Sequence, residues 1–249
     1  MIIYDNERVD TVNDSLSLIQ KPDGLTFGTD ALLLAGYVTG RFTYGAELGA
    51  GSGIISMLLL SRGKISCVKA YEIQPEYADL VRRNAEYNSL TERLLSVEED
   101  IRNIPPSEEA DIVFTNPPYM KSTSGRNKEN DNKGFARHEL NGDIGDFCSS
   151  ANRLLKYGGS FYAVYRPDRL ADIIDAMREA KLEPKRMTFV HADTLSESSM
   201  VLIEAKKGGK SGMQLTRPLI IYRDKDHKEY GEDMNYIMQN GSFPPEYKR

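Results

Sequence analysis

Three features of this 249-residue chain predict an α/β fold with a mostly parallel, doubly wound sheet and an antiparallel C-terminal hairpin strand. Strand-like and helix-like patterns alternate from residue 44 to residue 181, which requires crossover helices between parallel strands. A glycine-rich turn joins the first of these strands directly to an apolar helix. The runs Arg186 to His191 and Met200 to Lys206 are separated by about eight residues, too few for a helical crossover, so that pair is antiparallel.

Taken in order, Leu16-Ser17-Leu18-Ile19-Gln20 and Leu25-Thr26-Phe27 flank the turn Lys21-Pro22-Asp23-Gly24 and predict a small hairpin. Ala31 to Tyr37 is an apolar helix, with Thr29 or Asp30 as its N-cap. The alternating region then reads as strand 44–48, helix 54–62, strand 67–72, helix 77–88, strand 94–97, strand 111–115, helix 144–156, strand 159–165 and helix 167–181. Beyond the hairpin, Pro218 to Tyr222, a polar turn Arg223 to Lys228 and a short helix near Met234 to Gln239 form an appended edge element. The whole, 1–249, reads as one domain: a hairpin and helix (1–40), a core (41–207) and a C-terminal extension (208–249).

Composition fits a soluble enzyme. No apolar run reaches the roughly 20 residues needed to span a bilayer, and Met1-Ile2-Ile3-Tyr4-Asp5 lacks the basic and apolar regions of a signal peptide, so a cytoplasmic location is expected. Cys67 and Cys148 read as core thiols, and the three histidines are scattered, so no metal site is expected. The net charge of −5 argues against a dedicated duplex binder. Locally, however, Lys121, Arg126, Lys128, Lys133 and Arg137 face only Glu129 and Asp131 in a Ser-, Gly- and Asn-rich stretch. That stretch is either a loop that holds a phosphate backbone or a plain solvated loop. Lys206, Lys207 and Lys210 form a second cluster, equally readable as a polar hairpin end.

Two motifs carry the chemistry. Asn116-Pro117-Pro118-Tyr119 closes the apolar run Ile112-Val113-Phe114. Asparagine offers an amide oxygen, the prolines keep the neighbouring carbonyls out of a regular ladder, and tyrosine offers a flat face: a pocket for a planar amine, or otherwise a simple Pro-Pro loop. The second motif is Glu47-Leu48-Gly49-Ala50-Gly51-Ser52-Gly53, where the glycines let a ligand approach the main chain. Position 54 is isoleucine, so the third glycine of the dinucleotide fingerprint is missing. Glu47 would repel a pyrophosphate and suits a cationic amino-acid head, as in S-adenosylmethionine. Glu72 ends the second strand nineteen residues past Gly53, where such folds bind ribose hydroxyls. Asp100-Ile101 lies where a carboxylate can accept from an adenine amine and an aliphatic chain can cover its ring, although Glu98-Glu99-Asp100 also reads as a solvated acidic loop.

Together, Glu47-x-Gly49-x-Gly51-x-Gly53, Glu72, Asp100 and Asn116-Pro117-Pro118-Tyr119 resemble the small-domain class of S-adenosylmethionine-dependent methyltransferases over roughly residues 15 to 210. Phe27-Gly28-Thr29-Asp30-Ala31-Leu32-Leu33-Leu34, Ala136-Arg137-His138-Glu139, Tyr165-Arg166-Pro167 and Arg217-Pro218-Leu219-Ile220-Ile221-Tyr222 resemble, more narrowly, the bacterial tRNA1(Val) adenine-37 N6-methyltransferase family. The resemblance implies a Rossmann-like methyltransferase fold and a tRNA substrate, with neither a metal, a membrane nor an obligate protein partner. It assigns Thr29, Asp30, Glu47, Gly49, Gly51, Gly53, Glu72, Asp100, Ile101 and Asn116 to the cofactor, and Asn116, Pro117 and Tyr119 to catalysis on the base. The tetrapeptide is also similar to that of the methyltransferases acting on a glutamine of peptide release factors, and it resembles that of guanine-N2 methyltransferases of ribosomal RNA. A non-catalytic RNA-binding scaffold that keeps the pocket shape is the rival from outside the enzymes.

Overall fold

The computed structural model describes residues 2–22, 27–117 and 142–248. Its main sheet contains β3 (Phe42–Leu48), β4 (Ile65–Glu72), β5 (Leu94–Glu98), β6 (Ala110–Thr115), β7 (Leu155–Tyr165), β8 (Leu182–His191) and β9 (Ser198–Lys207). Two short strands, β10 (Gln214–Leu215) and β11 (Leu219–Ile220), pair with β8 at one edge. The strand order is β10-β8-β9-β7-β6-β3-β4-β5. Among the described residues every pairing in this sheet is parallel except those of β9, which runs antiparallel to both β7 and β8. The chain winds outward from β3 through β4 to β5 and then returns to the other side of β3 for β6. Winding therefore reverses between β3 and β6, and the region beyond their carboxyl ends is where sheets of this kind bind ligands.

Strand periodicity divides the core in two. Ile112, Phe114, Tyr162, Val164 and Leu202 point to one face, where they meet α1 (Thr29–Tyr37), α2 (Ile54–Ser61) and α3 (Pro75–Tyr87). Val113, Phe161, Ala163, Val201 and Ile203 point to the other, against α4 (Ile144–Leu154) and α5 (Leu170–Glu179). Each Val, Leu, Ile or Phe side chain among them contributes on the order of 1.5–3 kcal/mol by leaving water. Every residue of helix α2 from Ile54 to Leu60 is buried and all but Ser56 are apolar, so the glycine turn that precedes it is anchored in the core.

Leu16–Gln20 is a strand (β2) as expected, and it pairs with a strand that was not expected, β1 (Arg8–Asn13); Asp23 to Thr26 of the expected hairpin lie outside the described residues. The tight turn falls at Asp14-Ser15, where Asn13 Oδ1 accepts from the Ser15 N–H at 2.9 Å; asparagine makes such a turn locally. Strand β1 is mostly exposed and polar, which hides it from hydrophobic patterning. Helix α1 also starts otherwise: Gly28 is the N-cap, no side chain caps it, and Thr29 and Asp30 are its first two residues. Strand β8 begins at Leu182, four residues before the expected start, because a bulge between Pro184 and Arg186 accommodates the missing N–H. Strand β7 begins at Leu155, directly after α4, with Gly158 at φ +78° beside a register shift against β6.

Near the C-terminus, α6 (Glu232–Asn240) follows β11 and covers Met234 to Gln239, where a short helix is expected. A fully buried guanidinium ties the C-terminal segment down. Arg186 donates to Glu204 Oε2 at 2.9 Å and to the carbonyls of Tyr247 and Tyr37 at 2.7 Å each. Lys207, from the second basic cluster, caps α4 through the carbonyls of Asn152 and Leu155.

Candidate active site at the carboxyl edge of the sheet

Strands β3 and β6 are neighbours, and their last residues pair as Leu48 with Thr115. The Thr115 hydroxyl donates to the Leu48 carbonyl at 2.8 Å, which fixes the two strand ends together. The glycine turn leaves the first and Asn116 leaves the second, so the two sequence motifs meet at the reversal point of the sheet.

Gly49, Gly51 and Gly53 all take positive φ (+67°, +56° and +79°), which explains three glycines at alternate positions. A Cβ at Gly53 would also approach Val81 Cγ1 to 3.2 Å. The turn is held from β4: the N–H groups of Gly49 and Ala50 donate to the Tyr71 carbonyl at 2.9 and 3.0 Å. Next along, Glu72 accepts from the Gly51 N–H at 2.9 Å and, through its other oxygen, from the Gln74 N–H at 3.0 Å. A carboxylate has about four lone-pair sites, so acceptor capacity remains.

Glu47 is 1 % exposed. Its Oε2 accepts from the Ser56 N–H at 3.2 Å and from the Ser56 hydroxyl, in the first turn of α2. Burial, and to a lesser degree the charge of Glu72, raises its pKa to about 8 against the hydrogen bonds from Ser56. Asp100 caps a single 3₁₀ turn, accepting from the Arg102 N–H at 2.9 Å, and pairs with the Arg102 guanidinium at 2.6 Å. The side-chain hydrogen bond from Arg102 holds its carboxyl below the ordinary range. Ile101, beside it, is buried.

The contact least expected from sequence joins Asp30 to Asn116. Asp30 sits in the first turn of α1, and its Oδ2 accepts from Asn116 Nδ2 at 2.6 Å. Its other oxygen accepts from the Ala31 N–H at 2.9 Å. This bond fixes which end of the amide is the donor. Asn116 Oδ1 is then left buried and without a hydrogen-bond partner among the described residues. A buried, unpaired carbonyl oxygen costs on the order of 1–3 kcal/mol; Asn152 Oδ1 is unpaired in the same way, but Asn116 Oδ1 lies beside the glycine turn, where it is open to a donor from outside the described residues. Thr29, next to Asp30, is exposed, and Pro117 is buried behind Asn116.

Sequence reasoning missed Ser56 and the supporting asparagines of α3. Asn84 and Asn88 lie one turn apart and act as a substitute strand along β2. Asn84 bonds the N–H and carbonyl of Ile19, and Asn88 bonds those of Ser17. Asn84 also donates to the Ser52 carbonyl at 3.0 Å, bracing the glycine turn. The signal available was two asparagines at i and i+4, the first inside the helix and the second at its C-cap. Tyr119 and the basic positions Lys121, Arg126, Lys128, Lys133 and Arg137 lie outside the described residues. Among the described residues, no cluster of three metal-ligating side chains occurs and no helix is long and apolar enough to cross a membrane.

The sheet order and the turn after β3 are those of a Rossmann-like methyltransferase. A crystal structure described as a predicted O-methyltransferase of Agrobacterium tumefaciens matches 87 % of this chain and 98 % of its own, with a TM-score of 0.71 and 24 % identity. A geranyl diphosphate C-methyltransferase of Streptomyces coelicolor, bound to S-adenosyl-L-homocysteine, matches 71 % of this chain and 76 % of its own, with a TM-score of 0.55 and 16 % identity. The model of the methyltransferase small domain matches residues 22–180, and the chain belongs to that family. Curated relatives include the tRNA1(Val) (adenine(37)-N6)-methyltransferases of Porphyromonas gingivalis and Aeromonas hydrophila. The first is 26 % identical over 71 % of this chain and 72 % of its own, the second 28 % identical over 73 % and 76 %.

Proposed function

We propose that this S-adenosylmethionine-dependent methyltransferase transfers its methyl group to the exocyclic N6 amine of an adenine in tRNA. The observation that carries the reading is Asn116: its amide nitrogen is held by Asp30, and its buried oxygen lacks a donor among the described residues. An adenine amine supplies that donor. The names of the curated relatives support tRNA as the bearer of the adenine.

The residues fit the cofactor on three counts. The turn from Gly49 to Gly53 presents main chain without side chains, Glu72 keeps acceptor capacity for ribose hydroxyls, and the buried Glu47 carboxyl gains its charge most readily beside a cation. When bound, S-adenosylmethionine supplies an electrophilic methyl group on a sulfonium. Asp100 is a further candidate, for the cofactor's adenine amine, in competition with Arg102; Ile101 would cover that ring.

The chain's own work is positional. The lone pair of an adenine amine is delocalised into the ring, so the nitrogen is a weak nucleophile. Asn116 Oδ1 accepting one N–H, and the Pro117 carbonyl accepting the other, favour a pyramidal nitrogen with its lone pair localised and aimed. Tyr119 is assigned to stack on the base, a contact of about 1–3 kcal/mol, comparable with the few kcal/mol needed to extrude a stacked nucleotide. No side-chain base is required, because the methylated amine is acidic enough to release its proton to water.

The test is product identification. Pure protein is incubated with tritiated S-adenosylmethionine and, separately, total tRNA, ribosomal RNA or a peptide release factor, and the products are digested to nucleosides or amino acids. Labelled N6-methyladenosine from tRNA is expected. Label in N5-methylglutamine or N2-methylguanosine alone refutes the assignment.

A further inference from the structure

At the opposite end of the sheet from the glycine turn, Arg41, Arg62, Lys64 and Lys248 line one cleft together with Thr39 and Ser242. Arg41 immediately precedes β3, and residues 62–64 immediately precede β4. The seven residues of β3 therefore separate this cleft from Gly49 by about 20 Å at ~3.3 Å per residue.

Two of the four cations have structural partners. Lys64, 8 % exposed, donates to the carbonyls of Ala35, Gly36 and Val38 at 2.9, 3.1 and 2.8 Å. Arg62 donates to the Gly241 carbonyl at 3.1 Å. These acceptors are the C-terminal ends of α1 and α6, each equivalent to a negative charge of roughly one half. With the C-terminal end of α2 at Arg62, which also borders the cleft, they offset about one and a half charges, and Lys64 is only partly charged near neutral pH, which leaves an excess of roughly two positive charges. The side chains of Arg41 and Lys248 are exposed and make no hydrogen bond or ion pair among the described residues, and no carboxylate is among the residues that line the cleft. The like charges are felt: Lys64 is pushed down to about 7, first by burial and then by Arg62, Lys248 and Arg186.

Such an excess, unneutralised and concave, favours an anion, and the donor set indicates which kind. Guanidinium forks match the oxygens of a phosphate, which also brings more charge than a carboxylate. The hydroxyls of Thr39 and Ser242 add hydrogen-bond capacity. Gly63 stands where an added Cβ would meet no atom within 4 Å, so the main chain is open to a ligand. We infer that this cleft binds a phosphate-bearing anion through Arg41, Arg62 and Lys248, at a site separate from the one that transfers methyl groups. The phosphate belongs either to a free diphosphate-like anion or to an RNA backbone.

The experiment titrates inorganic pyrophosphate into the full chain by calorimetry at constant ionic strength, for the wild type and for the double variant Arg41→Gln, Lys248→Gln. Both substituted side chains are exposed, so an unchanged melting temperature without ligand verifies folding. Saturable binding with one-to-one stoichiometry is expected, weakened at least tenfold in the variant. Absence of saturable binding to the wild type, or equal affinity in the variant, overturns the inference. A second arm measures tRNA binding of both proteins against salt. If the variant loses tRNA affinity and its salt slope falls by about two, the phosphates are those of RNA. If pyrophosphate binding is lost while tRNA binding is not, the ligand is a small anion.

Discussion

Replacing Asp30 by alanine removes the one contact that, among the described residues, orients the Asn116 amide, while leaving the reacting groups in place. At 2.6 Å from the amide nitrogen, the carboxylate makes a charge-assisted hydrogen bond of about 1.5–3 kcal/mol. Without it, the amide can turn its NH2 toward the substrate amine, where donor opposes donor. If that orienting energy is expressed in the transition state, it corresponds to a rate loss of roughly 10- to 150-fold, at 1.36 kcal/mol per factor of ten. The assay is a single turnover at saturating S-adenosylmethionine and tRNA, alongside calorimetric binding of S-adenosylhomocysteine. The chemical step should slow within that range while cofactor affinity changes less than about threefold, since the lost contact is to Asn116 and not to the glycine turn. Asp30→Asn, which keeps an acceptor of the same shape, should lose less. A rate for Asp30→Ala within twofold of wild type, with cofactor affinity intact, refutes the positioning role; a loss confined to cofactor affinity returns Asp30 to a cofactor contact.

Two further outcomes concern the cofactor side of the site. Glu72→Ala should weaken S-adenosylhomocysteine binding at least tenfold and lower the melting temperature, because the N–H groups of Gly51 and Gln74 lose their acceptor; an unchanged titration contradicts the assignment. Glu47 holds its proton to about pH 8 in the folded chain, against about 4.5 when unburied. Its contribution to stability is therefore full below the lower value and is lost as pH rises through the upper one. Glu47→Gln cannot ionise, so the melting temperature of the wild type should fall relative to that variant between about pH 5 and pH 9; parallel curves would show that Glu47 ionises freely.

The parallel core was legible because each element carries its own signal. Helix α2 is an apolar run from Ile54 to Leu60 broken only by Ser56, and β6 ends just before Asn116-Pro117, where the missing N–H stops the ladder. The glycine turn follows from the need for positive φ at Gly49, Gly51 and Gly53. What was illegible is what depends on distance in sequence. Asp30 and Asn116 are 86 positions apart, and nothing local to Asp30 distinguishes a helix cap from a carboxylate aimed at a partner. Strand β1 was missed because its outward face is polar. The bracing of β2 by Asn84 and Asn88 was missed because their i, i+4 spacing marks a shared face but not the strand it serves, which lies 65 to 71 positions away. The cleft around Lys64 has no sequence signature because its cations come from three separate segments.

The central claim, that Asn116 Oδ1 is an acceptor held ready for a substrate amine, is tested most directly by Asn116→Ala. In single turnover with tRNA and tritiated S-adenosylmethionine, formation of N6-methyladenosine should fall by about 100-fold or more, the scale found for removing one preorganised group from a transition state, while S-adenosylhomocysteine binds as tightly as to the wild type. Turnover equal to that of the wild type, or a loss explained wholly by weaker cofactor binding, contradicts it.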